Sequence, residues 1–263
     1  MKIGFRNGVA ALAGMVLLSA SATAAPIVIT FDENPPIDIG AGQIIDSEYN
    51  SPEWGNLLIS ADANGQSADF AVIFDSDNPS GNDPDLATPG TNGNAAAAEL
   101  HNLLIIQTNE GGLAAVGNQI NNDPNDHADG GTITMIWGVP VFDFNFHFVD
   151  MEDDEDATTL IHFFTNPGDV APYASLAFSL FDGVSGIDYG DNSVNFFSTA
   201  DINAQLGGGG PFFSRKIVFE LSSSGSVGSI GYTPVPEPGS LLLLGTGLLA
   251  LAGWARRRAA RQG

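Results

Sequence analysis

Short apolar runs separated by turn-forming residues make up most of the chain between residues 26 and 234. The clearest run is Val141–Val149, where Phe142, Phe144, Phe146 and Phe148 alternate with polar residues. Because the side chains of a strand point alternately to opposite faces, this spacing predicts a strand with one buried face.

Ten further runs of β type lie between clusters of Gly, Pro, Asn, Asp and Ser. They are Ile27–Phe31, Leu57–Ala61, Phe70–Phe74, Leu103–Gln107, Thr132–Trp137, Thr158–Phe164, Ser175–Phe181, Val194–Phe197, Arg215–Leu221 and Val227–Tyr232. Strands at this density predict an all-β protein, an antiparallel β-sandwich of jelly-roll type. The run that ends at Trp137 is predicted to pair with the phenylalanine-rich strand through a tight turn at Gly138. Asn94–Leu104, with four consecutive alanines, fits a helix and an extended lead-in equally well.

The N-terminal segment has the three parts of a secretory signal peptide. Lys2 and Arg6 supply positive charge, Val9–Leu18 is apolar, and Ala22–Ala24 provides the small residues that signal peptidase requires. We expect cleavage after residue 24, so that residues 1–24 are removed and residues 25–233 form one exported domain.

The C-terminal segment, residues 234–263, combines a proline-rich turn, an apolar stretch and a basic tail. The turn is Val235, Pro236, Glu237 and Pro238, and the basic residues are Arg256, Arg257, Arg258 and Arg261. Leu241–Ala255 carries no charge and would span roughly 22 Å as a helix, which is short of the roughly 30 Å hydrocarbon core. This pattern predicts a short transmembrane helix with cytoplasmic arginines that serves as a temporary stop.

This order of turn, apolar helix and basic tail resembles the PEP-CTERM sorting signal of exopolysaccharide-producing Gram-negative bacteria. The resemblance implies that an exosortase-type membrane protease reads the Pro-Glu-Pro turn and removes the helix and tail. It also implies an inner-membrane intermediate, followed by delivery to the cell envelope or the extracellular matrix. An ordinary tail anchor that happens to follow prolines is the alternative.

The distribution of charge narrows the possible partners of the exported domain. All 31 acidic residues lie between Asp32 and Glu237, whereas only Arg215 and Lys216 are basic in that range. Such a domain repels nucleic acid and anionic membrane surfaces, so we exclude both as partners. Its self-repulsion favours bound cations, and Ca²⁺ is the cation that oxygen-rich extracellular loops bind best.

Three acidic clusters could provide such oxygen ligands: residues 75–85, 121–130 and 150–156. The tentative calcium ligands are Asp75, Asp77, Asp83, Asp85, Asp150, Glu152, Asp153, Asp154 and Asp156. Solvated acidic loops without a metal are the alternative. The first cluster also resembles loops of extracellular jelly-roll domains in bacterial surface proteins, which again implies that fold.

Signatures of catalysis are weak in this sequence. It has no cysteine, no HExxH motif and no Gly-x-Ser-x-Gly motif, and no pair of carboxylates is distinguished by an apolar pocket. His147 and His162 lie on predicted neighbouring strands and could meet on a shared face. Trp54 and Trp137 are tentative stacking platforms for sugar rings, although such aromatics more often complete a core.

The sequence therefore predicts a non-catalytic exported protein with a structural or adhesive role in the exopolysaccharide matrix, with Ca²⁺ stiffening its acidic loops. Its expected partners are signal peptidase, an exosortase-type protease and extracellular polysaccharide. A carbohydrate-binding module that recognises matrix sugars is the main alternative, and a polysaccharide hydrolase is a weaker one.

Overall fold

A computed structural model describes residues 24–32, 39–65, 70–80, 83–107, 115–116, 119–120, 124–151, 158–208, 212–235 and 247. Residues 24–235 form one compact unit. The predicted signal peptide, apart from residue 24, and the predicted helix 241–255, apart from residue 247, lie outside the described residues. Among the described residues, no helix is both long enough and apolar enough to cross a membrane.

The compact unit is mostly antiparallel β-sheet with one short α-helix in its described part. Its elements are β1 (Ile27–Ile29), β2 (Leu58–Ala63), β3 (Ala71–Asp75), β4 (Asn102–Ile106), β5 (Ala115–Val116), β6 (Gln119–Ile120), β7 (Gly131–Met151), β8 (Leu160–Phe164), β9 (Ala174–Ala177), β10 (Gly190–Phe197), α1 (Thr199–Gln205), β11 (Ser214–Leu221) and β12 (Ser226–Pro234). Ten strands form one sheet in the order β3-β4-β12-β7-β11-β8-β9, with β1 on β12 and with β2 and β10 on β7. Strands β5 and β6 pair only with each other.

The long strand β7 organises this sheet and corrects one of the predictions. The predicted turn at Gly138 is absent, and the chain continues in extended conformation through Pro140. The N-terminal half of β7 pairs with β2 and β11, whereas its C-terminal half pairs with β10 and β12. Gly138 donates to the carbonyl groups of residues 55 and 56, and Pro140 accepts from the N–H of Val235. The strand therefore changes partners here instead of turning back on itself.

The two halves of β7 face one apolar core. Ile133, Met135 and Trp137 are buried on one half, and Phe144, Phe146 and Phe148 on the other, all in the same cluster. The predicted alternation is thus confirmed for the last three phenylalanines. It fails at Phe142, because Asp143 has a φ of 55° and displaces its neighbour from the inner face.

Residues 94–97 form a turn and β4 begins at Asn102, so the helical alternative is wrong and the extended one holds only for the end of the segment. The α-helix lies instead at Thr199–Gln205. Ser198 caps it by accepting from the backbone N–H of Asp201, while the Asp201 carboxylate accepts from the N–H of Ser198. This reciprocal pair is a capping box, a signal that the sequence contains.

Strand β12 joins two ends of the sheet that have different chemistry. It begins opposite Val149 and ends with Pro234 opposite Val141, a run of nine residues that spans roughly 30 Å. We call the end at Pro234 the exit end, because the chain continues from there into residues 236–263. The first described residues, 24–26, precede β1 at the same end, since Ile27 pairs with Tyr232.

Candidate functional site

Four carboxylates from two loops and from the end of β7 come together at the other end of β12. Asp83 and Asp85 follow β3, Asp126 precedes β7, and Asp150 lies near the C-terminal end of β7. Their charges act on one another, because the carboxylates of Asp85, Asp126 and Asp150 all raise the pKa of Asp83. We call this set the acidic end. Each of the three acidic clusters in the sequence contributes to it.

A buried leucine explains why the first loop reaches this position. Leu86 is fully buried in a second apolar cluster, where Val149 and Val194 are also buried. The side-chain amide of Asn192 donates to the carbonyl groups of Asp85 and Ala87 at 2.9 and 2.6 Å and holds the loop from the other side. Asp83 and Asp85 are therefore placed beside Asp150 by packing rather than by their own charges.

The segment that leads into β12 holds the two most buried carboxylates. Asp126 and Asp150 are only 7% and 4% exposed. The hydroxyl of Ser224 donates to both side chains, and the N–H of Gly225 donates to Asp126 at 2.8 Å. The N–H of Asn192 donates to the other oxygen of Asp150 at 3.0 Å. These donors partly compensate the loss of water, which is the condition under which buried carboxylates are tolerated.

The backbone at the acidic end is specialised for this arrangement. Gly225 has a φ of 139°, and a β-carbon there would lie 2.8 Å from the carbonyl oxygen of Asp150. Asp150 itself has a φ of 62°, a region that Asp and Asn enter more readily than other non-glycine residues. Both residues therefore occupy conformations that few substitutions would preserve.

Burial and mutual repulsion raise the pKa values of two of these carboxyls. Burial is the largest cause for Asp83, whose pKa rises to about 8 with further contributions from a bond to Asp126 and from the neighbouring charges. The pKa of Asp150 rises to about 6, chiefly because of burial, although the donors from Asn192 and Ser224 oppose the shift. Both shifts are upward, so the acidic end favours the uptake of a proton or a cation.

The remaining predicted calcium ligands are not part of this group or cannot be placed. The carboxylate of Asp75 accepts from the backbone of Asp77 and Asn78, which closes a local turn. Asp77 pairs with the ring of His101 at 2.8 Å. Glu152, Asp153, Asp154 and Asp156 lie outside the described residues.

Two observations bear on metal binding at the acidic end. Among the described residues, no three His, Asp or Glu side chains are arranged around one point as a metal site requires. One oxygen of Asp83, Oδ2, is nevertheless buried and accepts no hydrogen bond from a described residue. A buried carboxylate oxygen without a donor is unusual and has unused capacity to bind a proton or a cation.

The histidines contradict one prediction and reveal a contact that sequence reasoning missed. His147 and His162 do not meet, because His147 faces β12 and bonds Ser229, whereas His162 lies on β8. His162 bonds Ser175 at 2.7 Å through Nδ1 and Glu220 at 2.8 Å through Nε2. All three are on the outward face of the sheet. They are brought together by strand register, which the sequence does not show.

Of the two tryptophans, Trp137 cannot serve as a sugar platform. Trp137 is 0% exposed and lies edge-on to Phe144 and Tyr232, so neither face of its ring is free to stack on a ligand. This prediction was wrong, because the strand alternation places Trp137 on the inner face. Trp54 is partly buried against the core and packs edge-on to Tyr49.

The segment after β12 is identified by comparison with known families. A family model described as PEP-CTERM protein-sorting motif matches residues 234–258. The chain therefore carries this motif, which marks an exported protein that an exosortase sorts to the cell envelope. Pro236, Glu237, Pro238 and the four arginines of the tail lie outside the described residues. No curated protein and no solved structure matches the chain.

Proposed function

We propose that the exported domain is a non-catalytic, structural or adhesive component of the extracellular matrix of a Gram-negative bacterium, delivered through an inner-membrane intermediate. The sorting motif at residues 234–258 carries this proposal. The signal-peptide pattern at the other end of the chain and the strongly acidic domain between them agree with it. In this scheme the tail determines the destination, and the domain acts there.

The intact mass of the protein recovered from its native host tests this proposal. We expect a mass that lacks residues 1–24 and everything after the Pro-Glu-Pro turn, because both signals would be removed during export. A protein that keeps its C-terminal arginines would be a tail-anchored protein instead. A protein that keeps both segments and is found in the cytoplasm would contradict the whole scheme.

We interpret the ten-stranded sheet, whose long strand β7 changes partners midway, as a β-sandwich of jelly-roll type. The support is that strands on the two halves of β7 pack their inner faces together. The rings of Phe146, on the C-terminal half, and Phe219, on β11 beside the N-terminal half, lie 4.9 Å apart. Facing layers filled by alternating side chains are the defining feature of a sandwich.

We also propose that the acidic end binds Ca²⁺ in the extracellular medium. The support is the convergence of four carboxylates, two of them almost fully buried, and the buried Oδ2 of Asp83, to which none of the described residues donates a hydrogen bond. A hard divalent cation would replace the proton that this group otherwise needs and would draw the oxygens around itself. Bound Ca²⁺ would tie two loops and the end of β7 to the start of β12.

Thermal unfolding in Ca²⁺ and in chelator tests the calcium proposal. A site filled at one hundred times its dissociation constant stabilises the folded state by about 2.7 kcal/mol, so we expect the Tm to rise by several degrees. Asp83→Asn should abolish this rise. Asp77→Asn is the matched control, because Asp77 pairs with His101 outside the group, and it should keep the rise. Equal Tm values in Ca²⁺ and chelator would refute the proposal.

A further inference from the structure

We infer that the exit end of the domain is a lipid-contacting surface, which rests on the bilayer interface while the processed precursor is still held by its C-terminal segment. This inference rests on the proposed function, since it requires a membrane-inserted intermediate. The occupant that we assign to this surface is the headgroup region of a zwitterionic bilayer. Three features of the domain support it.

The first feature is the position of the chain ends. Val235 is held against the sheet because its N–H donates to the carbonyl of Pro140 at 2.8 Å. Only residues 236–240 separate it from the apolar stretch that begins at Leu241, and five residues reach roughly 20 Å at most. The predicted signal-peptidase site at Ala24 lies at the same end, next to β1. Both apolar segments of the precursor are therefore joined to one end of the domain.

The second feature is exposed apolar surface at this end. Val170, in the turn between β8 and β9, is 98% exposed, and Tyr173 in the same turn is 47% exposed. Phe213, just before β11, is 50% exposed and lies 5.6 Å from the ring of Phe142. Leu58, 41% exposed, begins β2 opposite Ile136. Leu180 is also exposed, at 47%, but it lies at the opposite end of the sheet, because it follows the C-terminal end of β9.

Strand pairing places these residues side by side. Ser214 pairs with Val141, which also pairs with Pro234, so the segment 212–214 and the end of β12 lie on either side of β7 at the same end of the sheet. Ser214 also bonds the carbonyl of Phe164 at 2.8 Å, which places the turn that begins at residue 165 next to Phe213. Apolar side chains that are exposed together at one end of a domain are a feature of surfaces that contact proteins or membranes.

The third feature is the location of the cations. Arg215 and Lys216, the two basic residues between the signal peptide and the tail, both lie here. Arg215 donates to the carbonyl of Gly138, and Lys216 to that of Asp169 while it packs over the ring of Phe164. Carboxylates are present too, on Asp46, Glu48, Glu53, Asp143 and Asp169. The exit end thus combines both cations of the domain with several carboxylates and is not a cationic patch, which is why we assign it a zwitterionic surface.

Site-specific fluorescence in lipid nanodiscs tests the inference. The chain has no cysteine, so a single introduced cysteine is the only labelling site. We would label Val170→Cys and Leu180→Cys in the processed precursor, residues 25–263, and insert each into zwitterionic nanodiscs that carry a quencher at the headgroup. Both positions are exposed and apolar, but they lie at opposite ends of the domain. We expect the Val170 label to be quenched severalfold more than the Leu180 label.

The possible outcomes separate this inference from the proposed function. Co-migration of the precursor with nanodiscs and equal quenching of both labels would overturn the lipid-contacting surface and leave the sorting scheme intact. Failure of the precursor to associate with nanodiscs would overturn the membrane intermediate, and this inference with it. Strong quenching of Val170 that disappears when residues 239–263 are removed would support both.

Discussion

The two ends of β12 differ in which side chains are buried and which are exposed. At the acidic end, the carboxylates of Asp126 and Asp150 are buried and held by donors from Ser224, Gly225 and Asn192, and the pKa values of Asp83 and Asp150 are raised. At the exit end, apolar side chains such as Val170 and Phe213 are exposed, and the cations are used on backbone carbonyls. The polar groups of this protein are thus inside at one end, and its apolar groups are outside at the other. Burying carboxylates and exposing large apolar side chains both normally cost free energy, so each arrangement indicates a function at its end of the domain.

The largest difference between the ends should appear when glycines are replaced by alanine. Gly225→Ala should destabilise the protein by about 3 kcal/mol or more, because the added β-carbon would meet the carbonyl of Asp150 at a φ that alanine rarely adopts. Gly168→Ala, in the exposed turn at the exit end, has no atom within 4 Å of the new β-carbon and should change little. Urea unfolding of both variants measures the difference. Similar small effects would show that the acidic end is not rigidly built.

A smaller difference should appear in the response to pH without calcium. The folded-state pKa values of Asp83 and Asp150 are raised, so the folded protein binds protons that the unfolded chain releases above about pH 4. Stability from these groups therefore falls as the pH rises from about 4 to about 8. Asp83→Asn should remove part of this loss of stability with rising pH. We expect it to stabilise the folded protein at pH 8 by at least about 1 kcal/mol and by much less at pH 4.

The matched control for that experiment is Asp143→Asn at the exit end, where the carboxylate is exposed and the left-handed backbone suits asparagine. We expect no pH-dependent stabilisation from this change. Both variants are measured by urea unfolding in chelator at several pH values. A gain from Asp83→Asn that is the same at every pH would mean that repulsion and burial are not what limits the acidic end.

Local features of this fold could be predicted from the sequence, whereas features that depend on distant strands could not. Alternation along Val141–Val149 was enough to place Phe144 and Phe146 in the core, because strand periodicity is local. The acidic clusters were visible as composition, but their meeting was not, since it depends on Leu86 packing in one cluster with Val149 and on the register of β12. Similarly, the change of partners along β7 depends on strands that are distant in the sequence, such as β2 and β12. Long-range register is the information that a single sequence lacks.

The error at Trp137 has a different, local cause. Trp54 and Trp137 are named as tentative sugar platforms by residue type alone, whereas the face on which Trp137 lies follows from strand alternation. The inner position of Trp137 follows from its spacing of two from Met135 and four from Ile133, both buried. That spacing was present in the sequence and could have excluded Trp137. The exposed Phe213 had no comparable local signal, because it lies just before its strand begins.

A substitution of Phe213 at the exit end should have a small effect on stability. The size of that effect shows whether its ring belongs to a binding surface or to the core. Phe213→Ser should lower the free energy of unfolding by less than about 1 kcal/mol, because half of the ring is already exposed and its ring contact is with the partly buried Phe142. In the nanodisc experiment, the same change should reduce quenching of the Val170 label. Leu180→Ser should be equally mild for stability but should leave that quenching unchanged. A loss of several kcal/mol from Phe213→Ser would instead show that its ring supports the fold, and the exit end would then lose its most exposed aromatic as an argument for lipid contact.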